Sequence, residues 1–176
     1  MEWDPWFLEM CNTVAKKSQC HSRQIGTVLV REKSIISTGY NGPPRGVMPC
    51  DERWLCDLKL MEASGLGNIT KDFYVEHLEG VCPRYVPEMG FKSGEGLEWC
   101  GAGHSERNSL INAARHGIET NGTTLYMSCG IPCTPCLVEI INAGVVEIVV
   151  TKFQFYDISS EYTLKNSNLS ARLYQL

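Results

Sequence analysis

The sequence has 176 residues, of which 43% are hydrophobic and 20% charged, the length and composition of a single globular domain over residues 1–176. Its formal net charge of −4 has the wrong sign for holding a phosphate backbone by electrostatics, so we expect no nucleic acid partner. No apolar stretch approaches membrane length, and the first ten residues lack the basic flank of a secretory signal, which predicts a cytoplasmic protein with no membrane partner.

The predicted elements begin with an amphipathic helix over residues 3–17, where apolar side chains recur near helical spacing. Two apolar runs between Ile25 and Gly39 then flank a polar turn at residues 31–33, which predicts a β-hairpin. A segment rich in Cys, Gly and Pro follows at about residues 42–102, and within it only residues 55–64 have a helical pattern. Such an insert needs something other than an apolar core to order it, and a metal held by cysteines would do so.

After the insert, helical and extended patterns alternate. Helices are predicted at about residues 105–116 and 133–143, and strands at residues 123–128 and 145–150. The tail from residue 159 predicts one or two short helical pieces. This alternation indicates an α/β fold in which parallel strands lie beside the hairpin.

Two short motifs carry metal chemistry. His104 precedes Glu106 at the start of one predicted helix, and Cys133 and Cys136 lie one turn apart at the start of the next. Two thiolates and an imidazole are three zinc ligands, and three protein ligands with one open position are typical of a catalytic zinc. Nine cysteines in a reducing compartment also favour metal binding or catalysis over disulfides.

Glu106 has a function in such a site, because zinc acidifies water in the open position and a carboxylate beside it can move the proton. Each element alone has a plainer explanation: a C-x-x-C pair also forms structural zinc half-sites or redox pairs, and a histidine at a helix start is often a surface residue. Together, H-x-E followed by P-C-x-x-C is a signature of zinc deaminases.

On these motifs the chain resembles the cytidine and deoxycytidylate deaminase superfamily over nearly its whole length. The stretches that carry the resemblance include SQCHSRQIGTVLV, IISTGYNGPPRG, SGEGLEWCGAGHSERNSL and LYMSCGIPCTPCLVEIINAGVVEIVV. The resemblance implies a three-layer fold, with a mixed sheet of about five strands and helices on both faces. It also implies that His104, Cys133 and Cys136 bind catalytic Zn²⁺, that Glu106 shuttles protons, and that dCMP is hydrolysed to dUMP and ammonia, which supplies dUMP for thymidylate synthesis.

The same resemblance suggests residues for the substrate. Asn41 stands where the superfamily has an asparagine that contacts the bound nucleoside, although Asn-Gly is also a strong turn dipeptide. The monophosphate requires a cation, for which Arg23, Arg45 and Arg107 are candidates, with Arg107 the first choice, while each of them also reads as an ordinary surface charge. The family's aromatic residue before an aspartate falls on Tyr156 or, one position earlier, on Phe155.

Some family members hold a second, structural Zn²⁺ at positions that match Cys20 and Cys50. Cys82 and Cys100 would complete a set of four thiolates, although His77 or Cys56 could substitute for one of them. The alternative is that all of these are free buried cysteines. The family also departs from this chain at Ser105, where alanine is usual.

Regulation and assembly follow from the resemblance alone. It implies a homohexamer that dCTP activates together with Mg²⁺ and dTTP inhibits, with Asn41, Gly42 and Arg45 as candidate effector residues. The rival interpretations are a deaminase of dCTP, of a ring-substituted dCMP or of another amine, and a zinc-stabilised binding module without turnover.

Overall fold

The computed structural model describes residues 2–85, 91 and 95–174. The chain divides into two compact units. One comprises residues Met1–Ser18, Ile25–Asn41 and His104–Leu176, and the other Gln19–Gln24 and Gly42–Gly103. The second unit nearly coincides with the predicted insert, of which residues 86–90 and 92–94 lie outside the described part.

A five-stranded sheet forms the centre of the first unit. Its strands are β1 (Gly26–Arg31), β2 (Ser34–Tyr40), β3 (Thr124–Met127), β4 (Glu147–Val150) and β5 (Ser170–Leu173), in the order β2-β1-β3-β4-β5. β1 pairs antiparallel with β2 and with β3, whereas β3 with β4 and β4 with β5 pair in parallel. The predicted hairpin with parallel strands beside it is therefore confirmed.

Helices cover both faces of this sheet. In the described ranges the α-helices of this unit are α1 (Trp3–Ala15), α4 (Ser105–Arg115), α5 (Thr134–Asn142) and α6 (Ile158–Lys165), and those of the second unit are α2 (Leu58–Ser64) and α3 (Lys71–His77). Successive strand residues point to opposite faces, so Val28 packs with Phe7 of α1 while Leu29 lies in the core that contains Leu110 of α4 and Leu137 of α5. The three-layer α/β fold expected from the sequence is confirmed.

Two glycines let a helix approach the sheet closely. A Cβ atom on Gly26 would lie 2.0 Å from the carbonyl oxygen of Cys11 in α1, and one on Gly39 would lie 2.1 Å from that of Ser105 in α4. Neither backbone contact could relax easily, because both lie in regular elements. Gly39 therefore sets how closely α4, which begins at the predicted H-x-E motif, packs on β2.

The tail differs from the sequence prediction. α6 confirms one short helical piece, and residues 170–173 form β5, a strand that the sequence patterns did not predict. These four residues pair with β4, and Arg172 binds Asp4 of α1 and Glu147 of β4. The strand thus depends on partners far away in sequence.

The second unit has a small apolar core of its own, built around Trp54, Leu60, Tyr74 and Leu78. Sequence patterns indicate a helix at residues 55–64, of which α2 covers the last seven residues, but they do not indicate α3. The hydroxyl of Thr70 accepts a hydrogen bond from Phe73 N at 3.3 Å and caps α3, and Tyr74 buries that helix's inner face.

Asp51 connects separate parts of this unit. Its carboxylate accepts hydrogen bonds from the Tyr74 hydroxyl at 3.2 Å and from Gly80 N at 3.0 Å, and lies 3.0 Å from His21 Nε2.

None of the helices in the described ranges combines the length and the apolar character needed to span a bilayer.

Candidate metal centre and active site

Three predicted ligands converge at the starts of α4 and α5. His104 is the N-cap residue of α4, Cys133 is the N-cap residue of α5, and Cys136 lies in the first turn of α5. Nδ1 of His104 is 3.4 Å from the Cys133 sulfur and 3.3 Å from the Cys136 sulfur. All three ligand atoms lie within 4.8 Å of one another.

This geometry fits zinc. With Zn–S bonds of about 2.3 Å and Zn–N bonds of about 2.0 Å, the nitrogen and sulfur ligands of a tetrahedral site lie roughly 3.5 Å apart. The two nitrogen–sulfur distances of 3.3 and 3.4 Å are close to that edge length. Three ligands fill three corners and leave the fourth for water or substrate.

Hydrogen bonds fix α4 to the hairpin. Thr27 of β1 donates through its hydroxyl to the carbonyl of Ser105 at 3.0 Å. The amides of Asn108 and Asn112 donate to carbonyl oxygens of β2 at 2.7 and 2.8 Å. The start of α4, and with it His104 and Glu106, is therefore held by the sheet rather than by a free loop.

Glu106 is a buried carboxylate beside the metal ligands, with only 6% of its surface exposed. Burial raises the pKa of Glu106 above its usual range, because the charged form loses hydration. The hydroxyl of Ser105 donates a hydrogen bond to Glu106 Oε2 at 2.9 Å and partly offsets that effect. The hydroxyl that departs from the family's usual alanine thus touches the candidate proton carrier.

The two thiols of the candidate metal centre are electrostatically different. A hydrogen bond from Cys136, followed by the effect of His104, lowers the pKa of Cys133, and the same hydrogen bond together with burial raises the pKa of Cys136. The contact with Cys133 raises the pKa of His104. Metal binding requires these groups to lose their protons, and their close spacing is the arrangement expected where a cation takes the place of those protons.

Asn41 is buried at the end of β2, and its side chain has structural contacts. Its Oδ1 accepts hydrogen bonds from Ile25 N at 2.8 Å and from the Ser18 hydroxyl at 2.9 Å. These contacts join the end of β2 to the residues before β1. A turn at Asn41-Gly42 would not by itself explain them. Gly42, the next residue, pairs with Gly103 in an isolated bridge of the second unit.

The three candidate arginines differ in their surroundings. Arg107 is half-exposed and forms a bidentate ion pair with Glu139 of α5, with Nε–Oε2 and Nη2–Oε1 distances of 2.9 Å. Arg23 and Arg45 are exposed residues of the second unit. Tyr156 is 46% exposed in the loop before α6, and Phe155 packs against the main core.

Four of the five cysteines of the second unit, Cys20, Cys50, Cys82 and Cys100, are neighbours, but they are not gathered as closely as the His104 group. Burial raises the pKa of Cys50 to about 11, with further contributions from Cys100, Cys20 and Cys82. Among the described residues, the only set of three candidate ligands within 4.8 Å is that of His104. Cys56 is exposed and contacts Met48, and the His77 ring stacks on Phe73.

Sequence reasoning did not identify Asp157, whose carboxylate accepts hydrogen bonds from Thr134 N at 3.2 Å and Thr134 Oγ1 at 2.5 Å. Thr134 lies between the two candidate cysteine ligands. The D-x-x-S spacing from Asp157 to Ser160 is a capping signal that predicts the start of α6, but no local pattern reveals the contact with α5.

Comparisons with known proteins agree with this geometry. Residues 1–152 match the family described as the cytidine and deoxycytidylate deaminase zinc-binding region. Deoxycytidylate deaminase of Schizosaccharomyces pombe is 31% identical over 172 residues, which are 98% of this chain and 44% of that protein. Deoxycytidylate deaminase of Enterobacteria phage T2 is 31% identical over 150 residues, 81% of this chain and 76% of that protein.

The chain thus spans 44% of the length of the fission yeast protein and of its Saccharomyces cerevisiae counterpart. Among solved structures, dCMP deaminase from the cyanophage S-TIM5, in complex with dCMP and dUMP, is 18% identical with a TM-score of 0.62, covering 97% of this chain and 95% of that one. That likeness shows a shared fold. With the matched zinc-binding region and the ligand geometry, it follows that the chain belongs to the cytidine and deoxycytidylate deaminase family.

Proposed function

We propose that this protein deaminates dCMP hydrolytically, giving dUMP and ammonia. The observation that carries the proposal is the buried carboxylate of Glu106 beside the three-ligand set of His104, Cys133 and Cys136. The relatives named deoxycytidylate deaminase support the choice of substrate. A purely structural metal site would have no use for a buried acid at an open corner.

The residues of the site divide the work. His104, Cys133 and Cys136 would hold zinc, which when bound supplies an acidified water and a Lewis acid. Glu106 takes a proton from that water through a carboxylate oxygen and gives it to the ring nitrogen next to the amine-bearing carbon. The water oxygen would bond to the amine-bearing carbon, and Glu106 would carry the remaining proton of that oxygen to the amine. As the carbonyl forms, the C–N bond breaks, so that dCMP and water give dUMP and ammonia.

The raised pKa of Glu106 suits this exchange. A carboxyl group whose pKa lies above its usual range gives up a proton less readily, so it is a better base towards water than an exposed glutamate. Ser105 limits the effect by its hydrogen bond to Oε2. Glu106, held by this hydrogen bond, therefore accepts a proton more readily than an exposed glutamate and can return it to the substrate.

Substrate recognition remains a prediction from the resemblance. On that basis we expect Asn41 to contact the nucleoside, Tyr156 to contact the substrate, and Arg107, Arg23 or Arg45 to bind the phosphate. Arg107 follows Glu106 directly in α4 and carries a planar guanidinium suited to a phosphate. Its ion pair with Glu139 means that a phosphate would have to compete with a carboxylate.

We also propose the second, structural zinc at Cys20, Cys50, Cys82 and Cys100. Arg84 supports it, since this arginine is only 7% exposed and its charge needs a nearby anion. Although burial lowers the pKa of Arg84, the proximity of Cys82 and Cys100 outweighs burial and raises it. Four thiolates on Zn²⁺ carry a net negative charge that such a guanidinium would balance. To bind one ion, the four sulfur atoms would have to move closer to one another.

Assembly, regulation and location follow the family in this proposal. We expect a cytoplasmic homohexamer that dCTP with Mg²⁺ activates and dTTP inhibits through Asn41, Gly42 and Arg45. Measuring the molar mass in solution, and dCMP turnover with and without each nucleotide, tests these expectations. A monomer, or turnover unchanged by both nucleotides, would remove them without affecting the chemistry of the site.

The decisive experiment follows ammonia release from zinc-loaded protein with dCMP, deoxycytidine, dCTP, a ring-substituted dCMP and a cytosine-containing oligonucleotide. We expect dCMP to have the highest kcat/KM. Activity with the oligonucleotide alone would overturn the proposal, and release from none of them would favour a zinc-stabilised binding module. Metal analysis in the same samples should give two zinc ions per chain, falling to one in Cys50→Ser.

A further inference from the structure

The start of α5 carries two of the three candidate zinc ligands, Cys133 as its N-cap residue and Cys136 in its first turn. The side chain of Cys133 makes no capping hydrogen bond. The N–H groups of a first helical turn need acceptors from elsewhere. Pro135 has no N–H, and the amide of Thr134 donates to Asp157 Oδ2 at 3.2 Å.

Asp157 binds Thr134 a second time through the side chain. The Thr134 hydroxyl donates to Asp157 Oδ1 at 2.5 Å. Both carboxylate oxygens are thus bound to one residue, and that residue lies directly after Cys133 and two positions before Cys136. A movement of Asp157 would be transmitted through Thr134 to the backbone of both cysteines.

The same carboxylate also caps α6. Asp157 Oδ1 accepts a hydrogen bond from Ser160 N at 2.6 Å, and the Ser160 hydroxyl accepts one from Asp157 N at 3.2 Å, a reciprocal capping box. One anion therefore lies at two helix N-termini, where both helix dipoles favour negative charge. This double role fixes the start of α5 relative to the start of α6.

The chain before Asp157 supports the loop before the cysteines. Thr151 N donates to Cys129 O at 3.1 Å, and Ile131 N donates to Gln154 O at 3.2 Å. A Cβ atom on Gly130 would lie 3.1 Å from Gln154 O, which shows how closely the two segments run. The hydrogen bonds between Asp157 and Thr134 come last along the chain in this series, and Thr134 lies between the two cysteine ligands.

We infer that Asp157 is a positioning residue of the active site: it holds the cysteine turn of α5 in a zinc-binding geometry and fixes the backbone beside Tyr156. The inference rests on the function proposed above for its catalytic consequence. Its structural consequence, slow release of zinc, stands independently of the substrate. Partners one contact removed from metal ligands typically change metal affinity about 10- to 100-fold when they are replaced.

The test measures zinc release from zinc-loaded protein into an excess of a colour-forming chelator. The kinetic phase that is absent from Cys136→Ser is assigned to this site. In Asp157→Asn, an amide NH2 replaces one acceptor oxygen opposite the donors of Thr134, and we expect that phase to be about 10- to 100-fold faster than in the unmodified protein. kcat for dCMP should fall with it.

A matched pair at Thr134 covers the case in which Asp157→Asn does not fold. Thr134→Val removes only the hydroxyl bond and should accelerate release, whereas Thr134→Ser keeps that bond and should restore the slow rate. Asp4→Asn is the control, because Asp4 also joins separate elements with its carboxylate, binding Arg172 and Tyr126, without contacting α5. Asp4→Asn should lower the free energy of unfolding without accelerating the release of zinc.

Two results would overturn the inference. One is release from both Asp157→Asn and Thr134→Val at the unmodified rate, and the other is release from Asp4→Asn as fast as from Asp157→Asn at equal free energy of unfolding. The proposed function fails separately: a protein that releases zinc as expected but produces no ammonia from dCMP refutes the activity alone. Release at the unmodified rate from both variants, with dCMP turnover intact, refutes the positioning role alone.

Discussion

Burial of the Glu106 carboxylate costs folding free energy that its local hydrogen bonds do not offset. Its carboxylate is 6% exposed and its pKa is raised by desolvation, so folding would be easier with an apolar residue in its place. The hydroxyl of Ser105 provides one hydrogen bond, which reduces the cost without removing it. The proton-carrying role proposed above would account for an acid at this position, since burial and neighbouring groups are the means by which catalytic acids and bases acquire shifted pKa values.

We therefore predict that Glu106→Gln retains fold and zinc but lowers kcat for dCMP by roughly 10²- to 10⁴-fold, the usual contribution of a general acid–base group. The amide has the size of the carboxyl group and can still accept from Ser105, but it does not carry the proton. Ammonia release measures the effect, and Glu119→Gln, a change at an exposed surface residue, should behave like the unmodified protein. A loss smaller than about tenfold would contradict the role.

Arg107 permits a second test at this scale. If it binds the phosphate, Arg107→Ala should lower kcat/KM for dCMP by about 10- to 100-fold, the value of a charge-assisted contact, and leave deoxycytidine nearly unaffected. Glu139→Gln removes the competing carboxylate and should lower KM for dCMP. Equal losses with both substrates in both variants would mean that the pair only joins α4 to α5.

What the sequence could predict at this scale was set by local spacing. The H-x-E and C-x-x-C motifs lie at helix starts, so their side chains are directed by the first turn whatever the rest of the chain does. Asp157 could not be found in this way, because its partner Thr134 is 23 residues away and belongs to another helix. The contact exists only once the sheet has brought both helix starts together.

Secondary-structure elements also divide into those that the local sequence predicts and those that depend on distant partners. Residues 32 and 33 form the two-residue turn of the hairpin with φ of 50° and 62°, the left-handed conformation of a type I′ turn. Two apolar runs on either side of a polar turn predicted that hairpin, although Glu32 and Lys33 are not the residues this turn prefers. β5 was missed because four residues carry too little periodicity, and its strand state depends on pairing with β4.

Two glycines allow the role of α4 to be tested as an element. Gly39→Ala would place a methyl group 2.1 Å from Ser105 O and so push α4 away from β2, and Gly26→Ala would place one 2.0 Å from Cys11 O and push α1 away from β1. Overpacking of this kind costs about 1–3 kcal/mol of unfolding free energy in both variants. We predict that only Gly39→Ala also lowers kcat, because only α4 carries His104 and Glu106.

Denaturant unfolding and dCMP turnover, measured on the two variants side by side, test this. Gly26→Ala serves as the matched control, since it changes the same residue type on the opposite face of the same sheet. If both variants lose activity in proportion to stability, α4 has no special position. Full activity in Gly39→Ala would mean that the helix start does not depend on its close approach to β2.

At the scale of the whole molecule, the first helix and the last strand are joined by one ionic network. Arg172 of β5 binds Asp4 of α1 and Glu147 of β4, and Asp4 also accepts a hydrogen bond from the Tyr126 hydroxyl at 2.8 Å. Asp4 and Arg172 are 168 positions apart. A contact of such separation forms only when the rest of the sheet is in place, so it reports on the complete fold of this unit.

The hydrogen bonds from Arg172 are the main cause that holds the pKa of Asp4 below its usual range, and Tyr126 adds to them against the effect of burial. Because the folded-state pKa is the lower one, the stabilisation is fully present above the unfolded-state pKa of about 4 and is lost as pH falls through the folded-state value. We predict that Asp4→Asn lowers the free energy of unfolding by about 1 kcal/mol at pH 7, a value reduced by solvent screening at this half-exposed pair. The difference in unfolding free energy between the two proteins should shrink below about pH 4 and in high salt.

Urea unfolding of the zinc-free proteins from pH 3 to 7 measures this difference. Glu161→Gln, which removes an exposed ion pair within α6, is the control, and its free energy of unfolding should change little. A difference that stays constant over this pH range would show that the carboxylate of Asp4 does not stabilise the fold by its charge.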